Sequence, residues 1–272
     1  MHNPFPANVR IHFTTKAGGA SVPPFASNNL GLHVEDNAAH VLQNRQALTE
    51  QLAVASIQWL DQVHGNAVVQ AQSEPHFPAL AQGAEKTHNS IPAADAQFTS
   101  ERKLACAILT ADCLPVLFAA ADGSQVAAAH AGWRGLAAGV LLNTLKTFKD
   151  PSKVIVCFGA AISQAAFEVG GEVKAAFPWA SAACFKAGQG DKHHAHLYQL
   201  AFEQLQQAGV TEIYQAVFDG ATGEVADDRY QLKRYQTVEP TQFPCTYTQE
   251  TLFYSYRRDK RTGRMASLIY LA

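Results

Sequence analysis

The stretch from Leu104 to Gly135 constrains the fold more than any other part of this sequence. It holds three short apolar runs, at residues 104–109, 115–121 and 125–130, and each run stops at polar or glycine-containing residues. The runs are short and lack a helical period, so the pattern predicts buried β-strands. A chain with three such strands in succession is expected to form a layered fold around a sheet.

Residues able to bind a metal stand at the ends of these predicted strands. Cys113 follows the first run, His130 closes the third, and His64 stands beside Gly65 between two β-prone segments. Imidazole and thiolate are ligands that zinc prefers, and three protein ligands leave the open position of a catalytic site. The alternative for each residue alone is a core thiol or a hydrogen-bonded histidine, because free cysteines are often buried and the spacing matches no short zinc motif.

Composition narrows the class of protein. The chain has 272 residues, of which 47% are hydrophobic and 16% charged, so it can bury a full core. The net charge of −2 gives no electrostatic case for nucleic acid or an anionic membrane as a partner. No apolar run approaches the roughly 20 residues that cross a bilayer. The five cysteines contain no CxxC pair and no signal peptide is evident, so we expect a reduced, cytoplasmic protein.

The remaining patterns outline one α/β domain. They predict strands at residues 9–15, 95–99, 154–158 and 265–271, and helices at residues 38–52, 136–148, 172–177 and 197–208. Residues 73–93, with His76 and His88, and the polar residues 218–243 are predicted as loops, and residues 252–256 alternate as a strand would. No linker divides two compositions, so we expect a single α/β (α+β layered) domain over residues 1–272, with a mixed β-sheet core and helices packed outside. No pattern specifies an oligomeric state.

Two polar features upstream are candidates for binding an anion. Gly18 and Gly19 follow Lys16, and paired glycines allow backbone to approach a ligand closely, although a simple turn explains them equally well. Arg45 lies on the rim of the predicted helix at residues 38–52, where a solvated or ion-paired side chain is the ordinary alternative.

Several motifs together resemble one known family. The sequences TTKAGGAS, NNLGLHVEDN, WLDQVHGNAVV, ADA, LTADCLPVLF, AAAHAGWRGLAAGVL and YSYRRDKRTGRMAS, in this order, are similar to the laccase-domain (YfiH-like) family, once called multicopper polyphenol oxidases. The resemblance covers nearly the whole chain. It implies a single layered α/β domain that binds one zinc per chain through His64, Cys113 and His130, with copper as the less favoured metal.

The resemblance also implies an activity. Family members cleave purine nucleosides (adenosine, inosine, guanosine and methylthioadenosine) with phosphate and deaminate adenosine. Cys113 and Asp112 would then be catalytic, with Asp112 acting as an acid or base or orienting a ligand. Lys16, Asn29 and Arg45 are the candidates for binding phosphate or substrate.

The chain departs from the family pattern at several positions. Lys16 stands where arginine is common, and lysine cannot repeat a bidentate contact to phosphate. Ala160 replaces a proline, Phe167 replaces a tyrosine, and no acidic residue precedes the late helix near His196. None of these changes touches the three metal ligands, so they bear on rate and substrate preference.

Three other functions fit parts of the sequence. A Cys–His hydrolase would use Cys113 as its nucleophile and His64 or His130 as its base. A copper-dependent polyphenol oxidase would need several further histidine-rich sites, and the eleven histidines include one adjacent pair, at residues 193 and 194. A non-catalytic zinc-binding module would hold the metal without turning over a nucleoside.

Overall fold

The computed structural model describes residues 3–73, 91–218 and 230–272. The strands of this part of the chain are β1 Val9–Phe13, β2 Ser56–Gln58, β3 Val68–Gln70, β4 Ala96–Thr99, β5 Leu104–Thr110, β6 Leu114–Ala120, β7 Val126–Ala131, β8 Val154–Phe158, β9 Glu168–Val169, β10 Phe185–Ala187, β11 His193–Ala195, β12 Glu212–Phe218, β13 Tyr230–Arg234 and β14 Met265–Leu271. The three strands predicted within the stretch from Leu104 to Gly135 are confirmed as β5, β6 and β7.

The helices hold fewer residues in total than the strands. They are α1 Ala38–Leu52, α2 Trp133–Ala137, α3 Val140–Leu145, α4 Gly171–Ala175, α5 Leu197–Gln207 and α6 Tyr256–Asp259. Helix α1 begins where the Asn37 side chain accepts a hydrogen bond from the amide of Ala39, and it ends at Ala53 in the left-handed conformation. The predicted helix at residues 38–52 is therefore confirmed at both ends.

The strands form two principal sheets. One mixed sheet has the order β13-β12-β8-β6-β7-β4-β3, and a second has the order β1-β14-β5-β2. In the first sheet β12 is parallel to β8 and β3 to β4, whereas β6 and β7 form an antiparallel pair. Strands β10, β11 and β9 make a small separate sheet. The mixed-sheet α/β architecture expected from the sequence is confirmed.

Apolar side chains pack these elements into four layers. In β5, Cys106 and Ile108 belong to the cluster between the two sheets, whereas Ala105 and Ala107 pack with Leu48 of α1 on the opposite face. The other face of the larger sheet is covered by α3 and α5. The order is thus helix, sheet, sheet, helix, and each central strand is buried on both faces, which explains the nearly continuous apolar runs.

The helix predicted at residues 136–148 is wrong in its extent. The chain forms α2 and α3 instead, separated at Ala138 and Gly139, and Gly139 has a φ of +84°. A residue with positive φ cannot continue a right-handed helix, and glycine adopts this conformation at little cost. Apolar spacing alone does not reveal such a break.

Other differences lie toward the carboxyl terminus. The polar region at residues 218–243 contains a strand, β13, which pairs with β12, so the prediction of a loop is wrong for Tyr230–Arg234. Residues 252–255 are irregular and lead into α6 rather than forming a strand. Most of the loop predicted at residues 73–93, with His76 and His88, lies outside the described residues, as does the turn-rich part at residues 219–229. None of the described helices has the length and apolar character needed to cross a membrane.

Candidate metal centre

Pairing of β6 with β7 brings two predicted ligands together. The register places Leu114 opposite Ala131 and Pro115 opposite His130. Cys113, which directly precedes β6, therefore lies at the same end of the sheet as His130. Both residues were predicted at strand ends, and the antiparallel register explains why the two ends coincide.

His64 reaches this end of the sheet from the turn that precedes β3. It has a φ of +60°, which is uncommon for a residue other than glycine. The turn is held by Asp95, immediately before β4, because the amides of Val63, His64 and Gly65 donate to its carboxylate at 3.2, 2.9 and 2.6 Å. The unusual backbone at His64 is thus fixed by three hydrogen bonds to one buried side chain.

The three side chains form a donor group suited to zinc. Their ligand atoms all lie within 4.8 Å of one another, and Cys113 Sγ is 3.9 Å from His64 Nε2. Sulfur and nitrogen ligands of a tetrahedral zinc are about 3.5 Å apart, given bond lengths of about 2.3 and 2.1 Å. A small inward movement of the three side chains would therefore bring their donor atoms to the spacing that zinc requires. Within the described parts of the chain this is the one such group of histidine, cysteine and acidic residues.

Asp95 contacts both histidines of the candidate metal centre. Its Oδ1 lies 2.8 Å from His130 Nδ1 and also accepts the amide of His64, and its side chain is fully buried. This contact leaves His130 Nε2 to face the metal, which is the carboxylate–histidine–zinc arrangement of metal sites. Sequence reasoning missed this residue as a site component, although it is the central residue of the ADA motif, Ala94-Asp95-Ala96.

The electrostatics favour the metal-binding form of Cys113. Burial opposes ionisation of the thiol, but the charge and hydrogen bond of His130 and the hydrogen bond of His64 lower its pKa to about 6. Burial would lower the pKa of His130, but Cys113 and Asp95 raise it above its ordinary value. In the metal-free protein the pair therefore holds a proton on the imidazole beside a thiolate, and a metal would displace that proton.

Asp112, next to the thiolate, is held from three sides. Its Oδ1 accepts from the Thr246 hydroxyl at 2.7 Å, its Oδ2 accepts from the amide of Arg257 at 2.7 Å, and its carbonyl accepts from the amide of Ile162 at 2.8 Å. Its φ of +103° is outside the usual range for a non-glycine residue. These contacts fix the backbone that carries Cys113, so they support the orienting role foreseen for Asp112.

The structure places Lys16 and Asn29 in the loops beside α1. The close approach allowed by Gly19 is to the chain itself, because a Cβ there would lie 2.4 Å from the carbonyl oxygen of Ser27. Asn29 is buried, and its side-chain oxygen accepts hydrogen bonds from the amides of Gly31 and Arg264. Its side-chain nitrogen donates to the carbonyl of Gly31 and to the carboxylate of Asp36. Its polar atoms brace the loop, and contact with a ligand stays a prediction for both residues.

The alternative considered for Arg45, a solvated or ion-paired side chain, is wrong. Its side chain is buried, its Nε donates to the carbonyl of Leu30 at 2.8 Å, and its guanidinium carbon lies 4.0 Å from the centre of the Trp59 ring. Among the described residues no carboxylate forms a salt bridge with it. A buried cation with no acidic partner is consistent with its prediction as an anion-binding residue.

Gly132, between His130 and α2, leaves room for the ligands. A Cβ at this position would lie 3.0 Å from Cys113 Sγ and 3.2 Å from His64 Cδ2. We therefore expect Gly132→Ala to displace both side chains and to weaken zinc binding about tenfold or more, as do other changes that disturb ligand orientation. Zinc affinity measured by competition with a chelator checks this expectation.

Gly171→Ala is the matched control for that substitution. A Cβ at Gly171 would meet its nearest atom, the carbonyl oxygen of Asp191, at an ordinary 3.7 Å. The control should bind zinc as the unmodified protein does. Equal zinc affinity in the two variants would show that Gly132 does not shape the centre.

The chain is similar to known proteins over nearly its whole length. A family model described as multi-copper polyphenol oxidoreductase laccase matches residues 10–272. The chain is 42% identical to purine nucleoside phosphorylase YfiH of Escherichia coli over 272 residues, which cover 98% of this chain and 96% of the relative. It is 41% identical to a purine nucleoside phosphorylase of Pseudomonas aeruginosa over 273 residues, with 98% and 96% covered.

Solved structures of similar proteins share the fold. A crystal structure of a Neisseria meningitidis protein is 40% identical, with a TM-score of 0.80 over 99% of this chain and 97% of that one. The crystal structure of YlmD from Geobacillus stearothermophilus is 30% identical, with a TM-score of 0.79 over 99% of this chain and 94% of that one.

Proposed function

We propose that this chain, which belongs to the family described as multi-copper polyphenol oxidoreductase laccase, is a zinc-dependent purine nucleoside phosphorylase. Relatives that match nearly its full length carry the name of this activity. The observation that carries the proposal is the group formed by His64, Cys113 and His130, whose donor atoms lie within 4.8 Å of one another.

The reaction sets clear demands on such a site. The bond between the purine and the sugar carbon C1′ breaks, its electron pair goes to the base, and a phosphate oxygen forms a new bond to C1′. Positive charge builds on the sugar and negative charge on the base, which must take up a proton. Zinc held by two histidines and one cysteine would supply a Lewis acid of net positive charge that anchors and polarises an oxygen ligand.

The chain's own residues prepare this centre. Asp95 fixes the orientation of His130 and the turn that carries His64. Asp112 holds the backbone beside Cys113 and is our candidate for the proton transfer that accompanies loss of the base. Lys16, Asn29 and Arg45 are proposed to bind phosphate or substrate, with Asn29 acting by bracing the loop that contacts Arg45.

A copper-dependent oxidation of phenols is less well supported. Multicopper oxidation needs several copper sites, and the described residues contain one group of potential metal ligands, with a single thiolate and two imidazoles. Such a donor set with an open position suits zinc. We therefore propose zinc as the resident metal, at one ion per chain, and a cytoplasmic location in keeping with five free cysteines.

Phosphate dependence tests the proposal. The zinc-loaded protein is incubated with inosine over a range of phosphate concentrations, and free base and ribose 1-phosphate are measured. We expect the two products in equal amounts and a rate that saturates with phosphate. Base release at the same rate without phosphate would identify a nucleoside hydrolase, and no base release under any condition would favour a zinc-binding module.

Deamination of adenosine provides a second prediction. Deamination consumes water rather than phosphate, so inosine should form from adenosine in phosphate-free buffer. The rate should fall on chelation and return when zinc is added, because zinc held by His64, Cys113 and His130 would supply a Lewis acid for the attacking water. Deamination that survives complete removal of the metal would instead point to Asp112 or another protein base acting on free water.

A further inference from the structure

Arg45 is a buried cation whose hydrogen bonds are incomplete. The residue is 6% exposed, its Nε donates to the carbonyl of Leu30, and its Nη1 is buried with no hydrogen-bond partner among the described residues. An unpaired buried N–H of a charged group is costly unless a ligand completes it. Burial with no acidic partner also lowers the pKa of Arg45, which a bound anion would reverse.

Arg264, immediately before β14, approaches the same loop from another direction. A Cβ on Gly31 would lie 2.8 Å from Arg264 Cγ and 3.3 Å from His33 Cε1, so the absence of a side chain at Gly31 lets Arg264 and His33 pack together. The amide of Arg264 donates to Asn29 Oδ1 at 2.9 Å. Both arginines thus contact the loop at residues 29–33.

The guanidinium of Arg264 is held without an acidic partner. Its Nη1 donates to the carbonyls of Thr262 and Gly263 at 3.1 and 3.0 Å, and no salt bridge to it is found in the described parts of the chain. Two arginines without a salt bridge thus contact one loop, and we call the group that they form with His33 the pocket. Planar guanidinium donors match the oxygen geometry of phosphate, often with two hydrogen bonds from one side chain.

This pocket borders the metal centre. Arg264 lies within electrostatic reach of Cys113 and of the Asp112 carboxylate. The charges of both arginines and of His130 lower the pKa of His33, whereas the charge of Asp61 raises it. Burial and the two arginines lower the pKa of His33 to about 4, so its imidazole is neutral near pH 7 and can donate one hydrogen bond. The pocket therefore adjoins the candidate metal centre.

We infer that Arg45, Arg264 and His33 form the phosphate-binding pocket of the proposed reaction, with Arg264 as a substrate-contacting residue. This inference rests on the proposed function and assigns its anionic substrate to named side chains. The two arginines hold inorganic phosphate beside the metal centre, and Gly31 provides the space that Arg264 and His33 need. Such a pocket would bind phosphate although lysine stands at position 16.

The test uses the zinc-loaded full chain with Arg264→Gln, and Arg10→Gln as control, because Arg10 is exposed on β1 and its guanidinium donates to the carbonyls of Ala7 and Val9. We expect Arg264→Gln to weaken binding of inorganic phosphate, measured by calorimetry without nucleoside, about tenfold or more. The KM for phosphate should rise by a similar factor. Zinc content should not change.

Gly31→Ala provides a second variant that keeps both arginines. Its Cβ would displace the Arg264 side chain, so phosphate binding should weaken although the charge remains. Unchanged phosphate affinity in both variants, each folded and loaded with zinc, would overturn the pocket. If the unmodified protein binds phosphate and loses it in Arg264→Gln but never releases base, the pocket stands and the proposed function fails.

Discussion

Replacing Asp95 with asparagine is expected to weaken zinc binding about 10- to 100-fold, the range seen when an outer partner of a metal ligand is changed. Both carboxylate oxygens of Asp95 accept hydrogen bonds, from His130 Nδ1 and from the amides of residues 63–65. Asparagine keeps one acceptor oxygen and turns an NH₂ group toward N–H donors. The turn at His64 and the orientation of His130 should therefore be disturbed together.

Zinc affinity by chelator competition and thermal unfolding of the metal-free protein measure this effect. Asp191→Asn is the control, because Asp191 is exposed on a turn that is distant in sequence from the three candidate metal ligands. The metal-free Asp95→Asn protein should also unfold at a lower temperature, since a buried group that accepts four hydrogen bonds is changed. Zinc affinity equal to that of the control, in a folded variant, would show that Asp95 does not organise the ligands.

Replacing Cys113 with serine is expected to remove most of the bound zinc and with it both phosphorolysis and deamination. Serine cannot supply the thiolate that zinc prefers. The fold should persist, because the site lies at the end of sheets with their own apolar clusters, unlike a zinc finger that folds around its metal. Metal analysis, product formation and thermal unfolding of the same sample separate these effects.

Cys157→Ala is the control for the cysteine substitution. Cys157 is buried in β8 and belongs to the cluster between the sheets, so its loss should lower stability while zinc content is retained.

Alkylation and chelation distinguish the zinc enzyme from a Cys–His hydrolase, which the 3.9 Å contact between Cys113 and His64 would permit. Such an enzyme would lose activity on alkylation of Cys113 but keep it on chelation. Activity that survives full chelation would contradict a metal-dependent reaction.

The three candidate ligands can be singled out from sequence because each stands where a short apolar run ends or a turn intervenes, although the resemblance to the family, not the spacing, assigns them to one metal. His64, Cys113 and His130 need no knowledge of long-range pairing to be singled out. Asp95 does, because its role depends on β4 lying beside β7 and on the turn before β3 folding over it. The local pattern around Asp95 predicts only the start of a strand.

Arg45 and Arg264 show the same limit of local patterns. A helical period places Arg45 on the rim of α1 and favours a solvated side chain, but Trp59 and Leu30, which cover it, belong to other segments. Arg264 belongs to the motif YSYRRDKRTGRMAS, which does not reveal its neighbours, and its position beside Gly31 arises from the tertiary fold. The break between α2 and α3 likewise depends on the conformation of Gly139, which apolar spacing does not encode.

The most direct test of the account follows the oxygen that becomes bonded to the sugar. The zinc-loaded protein is given inosine with ¹⁸O-labelled phosphate in ordinary water, and the sugar product is analysed by mass spectrometry. Phosphorolysis predicts ribose 1-phosphate that retains all of the phosphate label, because a phosphate oxygen attacks C1′ and becomes the bridge between carbon and phosphorus. Unlabelled free ribose as the primary product would show that water is the nucleophile and would contradict the proposed function.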